Sequence, residues 1–192
     1  MSSQHISTMK FSIPDGKTVL GIDQSLTCSG IAVISGNQLM TEVIIPPKTE
    51  IVPVKRLVYI REQVKKLVAL HKPAIAAIEG YAFGASASRA HSLGELGGLL
   101  RVLLYESSVP VVYVIPPTVL KKFATGKGNS DKGSVSKGLY KKWCVDVENN
   151  NEVDAAGLAL IGASLHFPTE MGLEKSDTVA ISKAVETLPV GN

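Results

Sequence analysis

Hydrophobic and polar positions along the chain alternate between strand-like and helix-like patterns, and their order predicts an α/β fold. Short apolar runs bounded by glycine, proline or asparagine are typical of strands, and helices show apolar residues at every third or fourth position. Strands are predicted over residues 17–23, 30–34, 39–45, 74–78 and 109–115. Helices are predicted near residues 57–68, 93–105, 118–123, 135–143 and 153–165. This order predicts a mixed five-stranded sheet flanked by helices.

The patterned region predicts one folded domain over residues 17–167, which suits a chain of 192 residues. Residues 1–16 are polar, end in a turn and show no periodic apolar pattern, so we expect a flexible N-terminal arm. Residues 168–192 are weakly patterned, and we expect them to form a C-terminal tail.

The composition narrows the class of protein. Hydrophobic residues make up 45% and charged residues 19%, which supports a packed core and excludes a wholly disordered chain. The two cysteines, Cys28 and Cys144, form no CxxC pair and favour a reduced setting. The N-terminus lacks the apolar core of a signal peptide, and no stretch approaches the roughly 18 apolar residues that cross a bilayer. We therefore expect a cytoplasmic protein that does not associate with membranes.

Three carboxylates stand where the apolar pattern leaves the core: Asp23 ends the first strand, Glu79 ends the fourth, and Asp154 opens the last helix. Burying one unpaired carboxylate costs several kcal/mol, so three that converge predict a divalent cation between them. Oxygen ligands without a cysteine cluster favour Mg²⁺, with Mn²⁺ possible, over structural zinc. The alternative is that each is an ordinary acid at a strand end or helix N-terminus.

Residues 117–142 form a basic segment with seven lysines and one aspartate, a local net charge of +6 in a chain whose net charge is +3. Glycines within it leave the backbone pliable enough to approach a phosphate chain. We predict that Lys121, Lys127 and Lys132 contact nucleic acid, with an ordinary solvated helix face as the alternative. Tyr81 and Phe83, which follow Glu79, are candidates for stacking on an unpaired base or for core packing.

Glycines interrupt the predicted helix over residues 93–105, at Gly94, Gly97 and Gly98. Each costs about 0.8 to 1.0 kcal/mol relative to alanine, so something must pack closely there. A sheet face is one candidate for that neighbour.

The sequence segments around the three acids are informative when they are taken together. Asp23 lies in GIDQSLTCSGIAV, Glu79 in AIAAIEGYAF and Asp154 in NEVDAAGLALIGA, and TGKGNSDK precedes the last of these segments. Over about residues 17–166 the chain resembles the RuvC family of Holliday-junction resolvases, especially its bacteriophage members. The resemblance implies an RNase H-like fold, a homodimer, and metal-dependent cleavage of four-way DNA junctions by paired symmetric nicks that leave 5′-phosphates.

The resemblance implies that Asp23, Glu79 and Asp154 are the catalytic metal ligands. The family usually has a fourth ligand three residues before the last aspartate, where this chain has Asn151, while Glu152 stands two residues before it. Three-residue spacing places Asn151 on the face of Asp154 if the helix has already begun there. If the helix begins later, Glu152 is free to reach the site, and we favour Glu152 as the fourth ligand.

Other positions refine the resemblance and leave rivals open. Lys121 and Lys132 match basic residues near the scissile strand, and Gln24 replaces a common proline, which we expect to affect the turn and not the chemistry. The resemblance also implies that the helix over residues 93–105 lies near the dimer interface, so a second copy of the chain is as good a candidate as a sheet face for the neighbour of its glycines. An RNase H-fold nuclease acting on RNA or flap DNA is one rival. A phosphotransferase of the actin-like class needs two such domains, which 192 residues hardly accommodate. A non-catalytic junction-binding protein is the third, and Asn151 keeps it open.

Overall fold

The computed structural model describes residues 4–49, 52–80 and 87–188. The strands within these ranges are β1 (His5–Thr8), β2 (Thr18–Asp23), β3 (Ser29–Ser35), β4 (Gln38–Ile44), β5 (Ile75–Glu79), β6 (Val111–Ile115) and β7 (Glu186–Leu188). The helices are α1 (Pro53–His71), α2 (Ala87–Glu106), α3 (Pro117–Thr125), α4 (Lys132–Trp143), α5 (Asn150–His166) and α6 (Lys175–Ser182).

The strands form one mixed sheet in the order β1-β4-β3-β2-β5-β6-β7. Strands β2, β5 and β6 run parallel to one another, and the remaining neighbours pair antiparallel. All five predicted strands are present as β2 to β6. The strand count is corrected from five to seven, because β1 and β7 add one strand to each edge of the predicted sheet.

Helices cover both faces of the sheet, and side chains that alternate along β2 divide between two cores. Val19 belongs to the core under α3, α4 and α5, whereas Leu20 and Ile22 belong to the core under α1 and α2. This alternation is expected, because successive strand residues point to opposite faces. Every residue of β2 after Thr18 is buried, as expected of a central strand covered on both sides.

Helix α5 lies unusually close to the sheet, and glycine makes that approach possible. A Cβ atom on Gly21 would overlap the backbone oxygen of Ala155, and one on Gly30 would overlap the backbone oxygen of Asn151. Because neither strand residue carries a side chain there, the first turns of α5 rest directly on β2 and β3. This contact fixes where Asp154, on the same turns, is presented.

The N-terminal segment corrects the expectation of a flexible arm over residues 1–16. Strand β1 pairs with β4, from His5 opposite Thr41 to Thr8 opposite Gln38. After β1, the side chains of Met9, Phe11 and Ile13 are buried in the core on the α5 side. Burial of three large apolar side chains, at about 1.5–3 kcal/mol each, offsets part of the entropy lost in ordering the segment.

Of the segment over residues 168–192, expected as a tail, the described residues 168–188 also contribute to the fold. Met171 is buried in the α5-side core, and Ile181 of α6 packs against that core. Strand β7 then pairs antiparallel with β6. In the part of the chain that the structure describes, no helix is long and apolar enough to cross a membrane.

Candidate active site

Three elements bring the predicted acids to one end of the sheet. Asp23 is the last residue of β2 and Glu79 the last of β5, and these strands are parallel neighbours with Ile22 opposite Ile78. Asp154 lies in the second turn of α5, above those strand ends. All three line one pocket of about 800 Å³. The convergence that the sequence predicted is therefore present.

Burial governs the protonation of this acidic pair and its neighbour. Asp23 is only 7% exposed and shares a side-chain hydrogen bond with Glu79. Burial, and then the charges of Glu79 and Asp154, raise the pKa of Asp23 to about 8. Burial also raises the pKa of Glu79 and of Asp154. In the absence of a cation, the pair therefore keeps a proton around neutral pH.

Two lysines complete the pocket and partly offset its negative charge. Lys132 Nζ lies 3.3 Å from Asp154 Oδ2, with the lysine side chain 57% exposed. Lys121 also lines the pocket, and both lysines act to lower the pKa values of Glu79 and Asp154 against the effect of burial. Lys132 opens α4 directly after Asp131, whose side chain accepts a hydrogen bond from the Ser134 backbone N–H.

The donor set of the pocket fits a hard divalent cation. Its acidic walls offer carboxylate oxygens, and no cysteine or histidine lines it among the described residues. Among those residues, no group of three or more His, Cys, Asp or Glu side chains is already arranged to hold a metal ion. Instead, the proton kept by Asp23 and Glu79 neutralises one carboxylate, and the Lys132 ammonium group lies beside Asp154. A bound cation would take over both roles.

The fourth position corrects our preference for Glu152. Helix α5 begins at Asn150, so residue 151 is already helical and lines the pocket with Asp154. Glu152 is buried on another side of the helix, where its pKa is raised by burial, lowered by His5 and raised by Glu42. Three-residue helical spacing, and not two, brings side chains to one face. The structure therefore places Asn151, and not Glu152, at the site.

The remaining predicted nucleic-acid contacts are one lysine and two aromatic residues. Lys127 is exposed in the loop between α3 and α4, whose turn is held by the Thr125 hydroxyl accepting from the Lys127 backbone N–H at 3.1 Å. Tyr81 and Phe83 lie outside the residues that the structure describes. The expectation that they stack on a base stays a prediction.

One pocket residue was missed as a contributor to the site. Gln24 is 4% exposed, lines the pocket, and donates a hydrogen bond from Nε2 to the backbone oxygen of Glu79 at 3.2 Å. The signal in the sequence was its place directly after Asp23, where we expected an effect on the turn alone. Ser25, next in the chain, does act as a turn residue, because its hydroxyl accepts from the backbone N–H groups of Thr27 and Cys28.

Comparison with known proteins identifies the family that carries this geometry. Residues 19–162 match the family model of the crossover junction endodeoxyribonuclease RuvC. The chain belongs to the RuvC family. A RuvC endonuclease of Petrotoga mobilis is 30% identical over 153 residues, which span 77% of this chain and 91% of the relative. The corresponding protein of Synechococcus sp. strain CC9311 is 28% identical and is covered over 99% of its length.

Solved structures bear out the fold that membership of the RuvC family implies. The structure of T. thermophilus RuvC in complex with Holliday junction substrate superposes with a TM-score of 0.67 at 24% identity, covering 81% of this chain and 96% of that one. A second Thermus thermophilus RuvC structure gives a TM-score of 0.66 at 23% identity, covering 89% of this chain and 99% of that one. The RNase H-like fold is therefore confirmed.

Proposed function

We propose that this protein is a metal-dependent endonuclease that resolves four-way DNA junctions by paired symmetric nicks. The observation that carries the proposal is the meeting of three partly or fully buried carboxylates, Asp23, Glu79 and Asp154, with two lysines in one pocket. Membership of the RuvC family supports it, since relatives are named crossover junction endodeoxyribonucleases. The T. thermophilus relative, solved with a Holliday junction, supports the choice of substrate.

Asp23, Glu79 and Asp154 are the proposed ligands for one or two Mg²⁺ ions, with Mn²⁺ as a substitute. Asn151 supplies an amide oxygen on the same wall, which is a weaker ligand than a carboxylate. When bound, such ions activate water and stabilise charge on the phosphate and leaving oxygen. Because ligand carboxylates must be ionised, binding releases the proton that Asp23 and Glu79 share.

The proposed reaction is hydrolysis of a phosphodiester. Water attacks phosphorus, the bond from phosphorus to the 3′ oxygen breaks, and the products are a 3′-hydroxyl and a 5′-phosphate. The carboxylates orient the attack, and Lys132 exchanges its contact with Asp154 for one with the scissile phosphate. Lys121 adds a second positive charge to the same wall.

The remaining DNA contacts are assigned by charge and position. We assign Lys127, which is exposed in the loop between α3 and α4, to contact with a phosphate of a junction arm. Tyr81 and Phe83 follow Glu79 in the sequence, and we assign them to stacking on unpaired bases at the junction centre.

Paired nicking needs two active sites, and we propose a homodimer that acts in the cytoplasm in DNA recombination and repair. A two-fold axis presents two identical pockets to a branched substrate of matching symmetry. Exposed apolar side chains on α2, Val102 and Tyr105 at 53% and 56% exposure, offer a surface for the second copy. Sedimentation of the purified chain measures this directly.

A substrate panel tests the proposed function. Labelled four-way junction, flap, duplex, single-stranded DNA and an RNA–DNA hybrid are incubated at equal concentration with the protein in Mg²⁺. We expect symmetric nicks in opposing strands of the junction, with ligatable products and little cutting of duplex or single strands. Fixed spacing of two sites lets both meet scissile phosphates only on the branched substrate.

The other outcomes of the panel decide between the rivals. Preferential cutting of the hybrid or the flap assigns the protein to the RNase H-fold nucleases that act on those substrates. Tight junction binding without cleavage in Mg²⁺ or Mn²⁺ assigns it to non-catalytic junction binding, with Asn151 in place of a carboxylate as the physical reason.

A further inference from the structure

Gln24 ties together the two strand ends that carry the catalytic acids. Its side chain is 4% exposed, and its Nε2 group donates to the backbone oxygen of Glu79 at 3.2 Å. Because Gln24 directly follows Asp23, the last residue of β2, this bond joins the end of β2 to the end of β5.

Helix α2 packs against the Gln24 amide at Gly97. A Cβ atom on Gly97 would lie 2.9 Å from Gln24 Oε1 and 3.1 Å from its Nε2, so a larger residue at position 97 would have to displace this amide. Within the described residues, Oε1 is buried and has no hydrogen-bond partner. Buried amide oxygens usually have hydrogen-bond partners, so among the described residues the Nε2 bond and packing against Gly97 are the contacts that position this amide.

Gly98, the neighbouring glycine, lacks such a contact. A Cβ atom on Gly98 would meet nothing within 4 Å. Glycine is unfavourable inside a helix, and the space for Gln24 is a specific reason to have it at position 97. Gly98 has no such reason among the described residues, which makes it a matched control.

We propose that Gln24 is a positioning residue: seated against Gly97, it locks α2 to the ends of β2 and β5 and holds Asp23 and Glu79 at the spacing that a shared cation requires. The inference rests on the proposed function for its consequence and on the contacts above for the lock itself. It also accounts for a position that the sequence assigned only to a turn.

The lock is tested first without DNA or metal, by thermal unfolding of two alanine variants. Gly97→Ala is expected to lower the melting temperature, since the new methyl group displaces the Gln24 amide. Gly98→Ala, on the same helix, is expected to leave it unchanged or raise it. Equal effects of the two substitutions would contradict a specific contact at Gly97.

A double-mutant cycle then asks whether the damage passes through Gln24. In a Gln24→Ala background, Gly97→Ala is expected to cost little, because the side chain that it collides with is gone. An undiminished loss of melting temperature would overturn the lock. Gln24→Ser also removes the colliding amide, so it serves as the background if Gln24→Ala does not fold. Gln24→Met, which keeps the length of the side chain and removes its hydrogen bond, is kept for the metal assay.

The positioning role is tested by metal dependence. For Gln24→Ala and Gln24→Met, we expect the Mg²⁺ concentration that gives half of the metal-induced rise in melting temperature to increase about tenfold, as for other residues that support metal ligands. Cleavage should recover in large part at saturating Mg²⁺. Wild-type metal dependence in both variants would refute the role.

Failure of the proposed function is distinguishable from failure of this inference. If the wild-type protein cuts no substrate, the proposed nuclease function fails, while the coupling between Gln24 and Gly97 is still measured by unfolding alone. If the wild-type protein cuts junctions and the variants match it in both assays, the function holds and the positioning role fails.

Discussion

The two ends of the central strands both open into lysine-bearing pockets, yet only one end has the chemistry of an active site. At the end where β2 and β5 finish, a pocket of about 800 Å³ includes Asp23, Glu79 and Asp154. At the opposite end, a pocket of about 640 Å³ has no carboxylate among its described lining residues. Its lysines are Lys17, Lys65 and Lys72, and all three are exposed.

The difference teaches that the position of carboxylates, and not the presence of a cavity or of lysines, marks function here. Exposed lysines are well solvated and cost the fold little. Buried carboxylates are expensive, and the charges of Glu79 and Asp154 raise the pKa of Asp23 beyond the effect of burial, so their gathering at one end needs a compensating role. The following predictions break or sharpen this contrast, beginning with the largest effect.

Replacing Asp23, one of the three acids, should remove the metal-dependent cleavage that distinguishes this end of the sheet from the opposite end. Asp23→Asn is expected to reduce junction cleavage in Mg²⁺ by more than about 100-fold, because losing a metal ligand costs more than losing a residue that merely supports one. Junction binding should persist, since lysines supply it. Single-turnover cleavage and a binding titration of the same variant measure the two separately.

Asp146→Asn is the matched control, since Asp146 is exposed and outside the pocket. It is expected to cleave like the wild-type protein. Cleavage by Asp23→Asn at a rate close to that of this control would refute the catalytic assignment.

The end of the sheet that carries the three carboxylates should also make the free energy of unfolding fall as pH rises. The opposite end, called the lysine-only end because its described pocket residues include lysines and no carboxylate, has no acid to do so. The pKa of Asp23 is raised from 3.8 to about 8, so the folded state binds a proton that the unfolded state has released. Without metal, the free energy of unfolding should therefore fall as pH rises from about 4 to about 8. At pH 8, Asp23→Asn should raise it by about 2 kcal/mol or more, which is about 4–8 °C in melting temperature.

Thermal unfolding in chelator across this pH range measures the effect. Mg²⁺ should narrow the gap at pH 8 by stabilising the wild-type protein and not the variant. A wild-type melting temperature that does not fall between pH 4 and pH 8 would contradict a buried proton at this end.

Within the basic segment, two lysines should control DNA affinity where the lysines of the opposite end do not. Replacing Lys127 and Lys132 with alanine is expected to weaken junction binding about tenfold or more at moderate salt. The slope of affinity against salt should fall by about one for each phosphate that a lysine no longer neutralises. The same double replacement at Lys17 and Lys65 is the control, and an equal effect of the two pairs would return the basic segment to an ordinary solvated surface.

The smallest contrast separates two adjacent residues of α5. Asn151→Ala is expected to raise the Mg²⁺ concentration for half-maximal cleavage a few-fold, since it removes a weak oxygen ligand on the pocket wall. Glu152→Gln should leave that concentration unchanged, because Glu152 faces His5 and Glu42. The reverse result in a metal titration would restore Glu152 as the fourth ligand.

Much of this contrast could be predicted from the sequence. Hydrophobic periodicity located the five central strands, and placed Asp23 and Glu79 at strand ends because each closes an apolar run. The edges were harder. Strand β1 lacks a buried run of its own. The alternation of Met9, Phe11 and Ile13 was a usable signal for burial, and we overlooked it in treating residues 1–16 as unpatterned. Strand β7 has three residues, too few for a periodic pattern.

The details of the site could not be predicted, because they depend on contacts between distant parts of the chain. The choice between Asn151 and Glu152 depends on the residue at which α5 begins, and helix ends are uncertain by one or two residues. The bond from Gln24 to the Glu79 backbone joins residues 55 positions apart, and the room for it comes from Gly97 on a third element. No local pattern contains that information.

Locating Mn²⁺ by anomalous diffraction, in crystals of the wild-type protein soaked in that ion, tests the central claim most directly. The account predicts an anomalous peak between Asp23, Glu79 and Asp154, with Lys132 displaced from Asp154 and no peak at the lysine-only end. Absence of a peak among these carboxylates, at a Mn²⁺ concentration that supports junction cleavage in solution, would contradict it. So would a dominant peak at any other site.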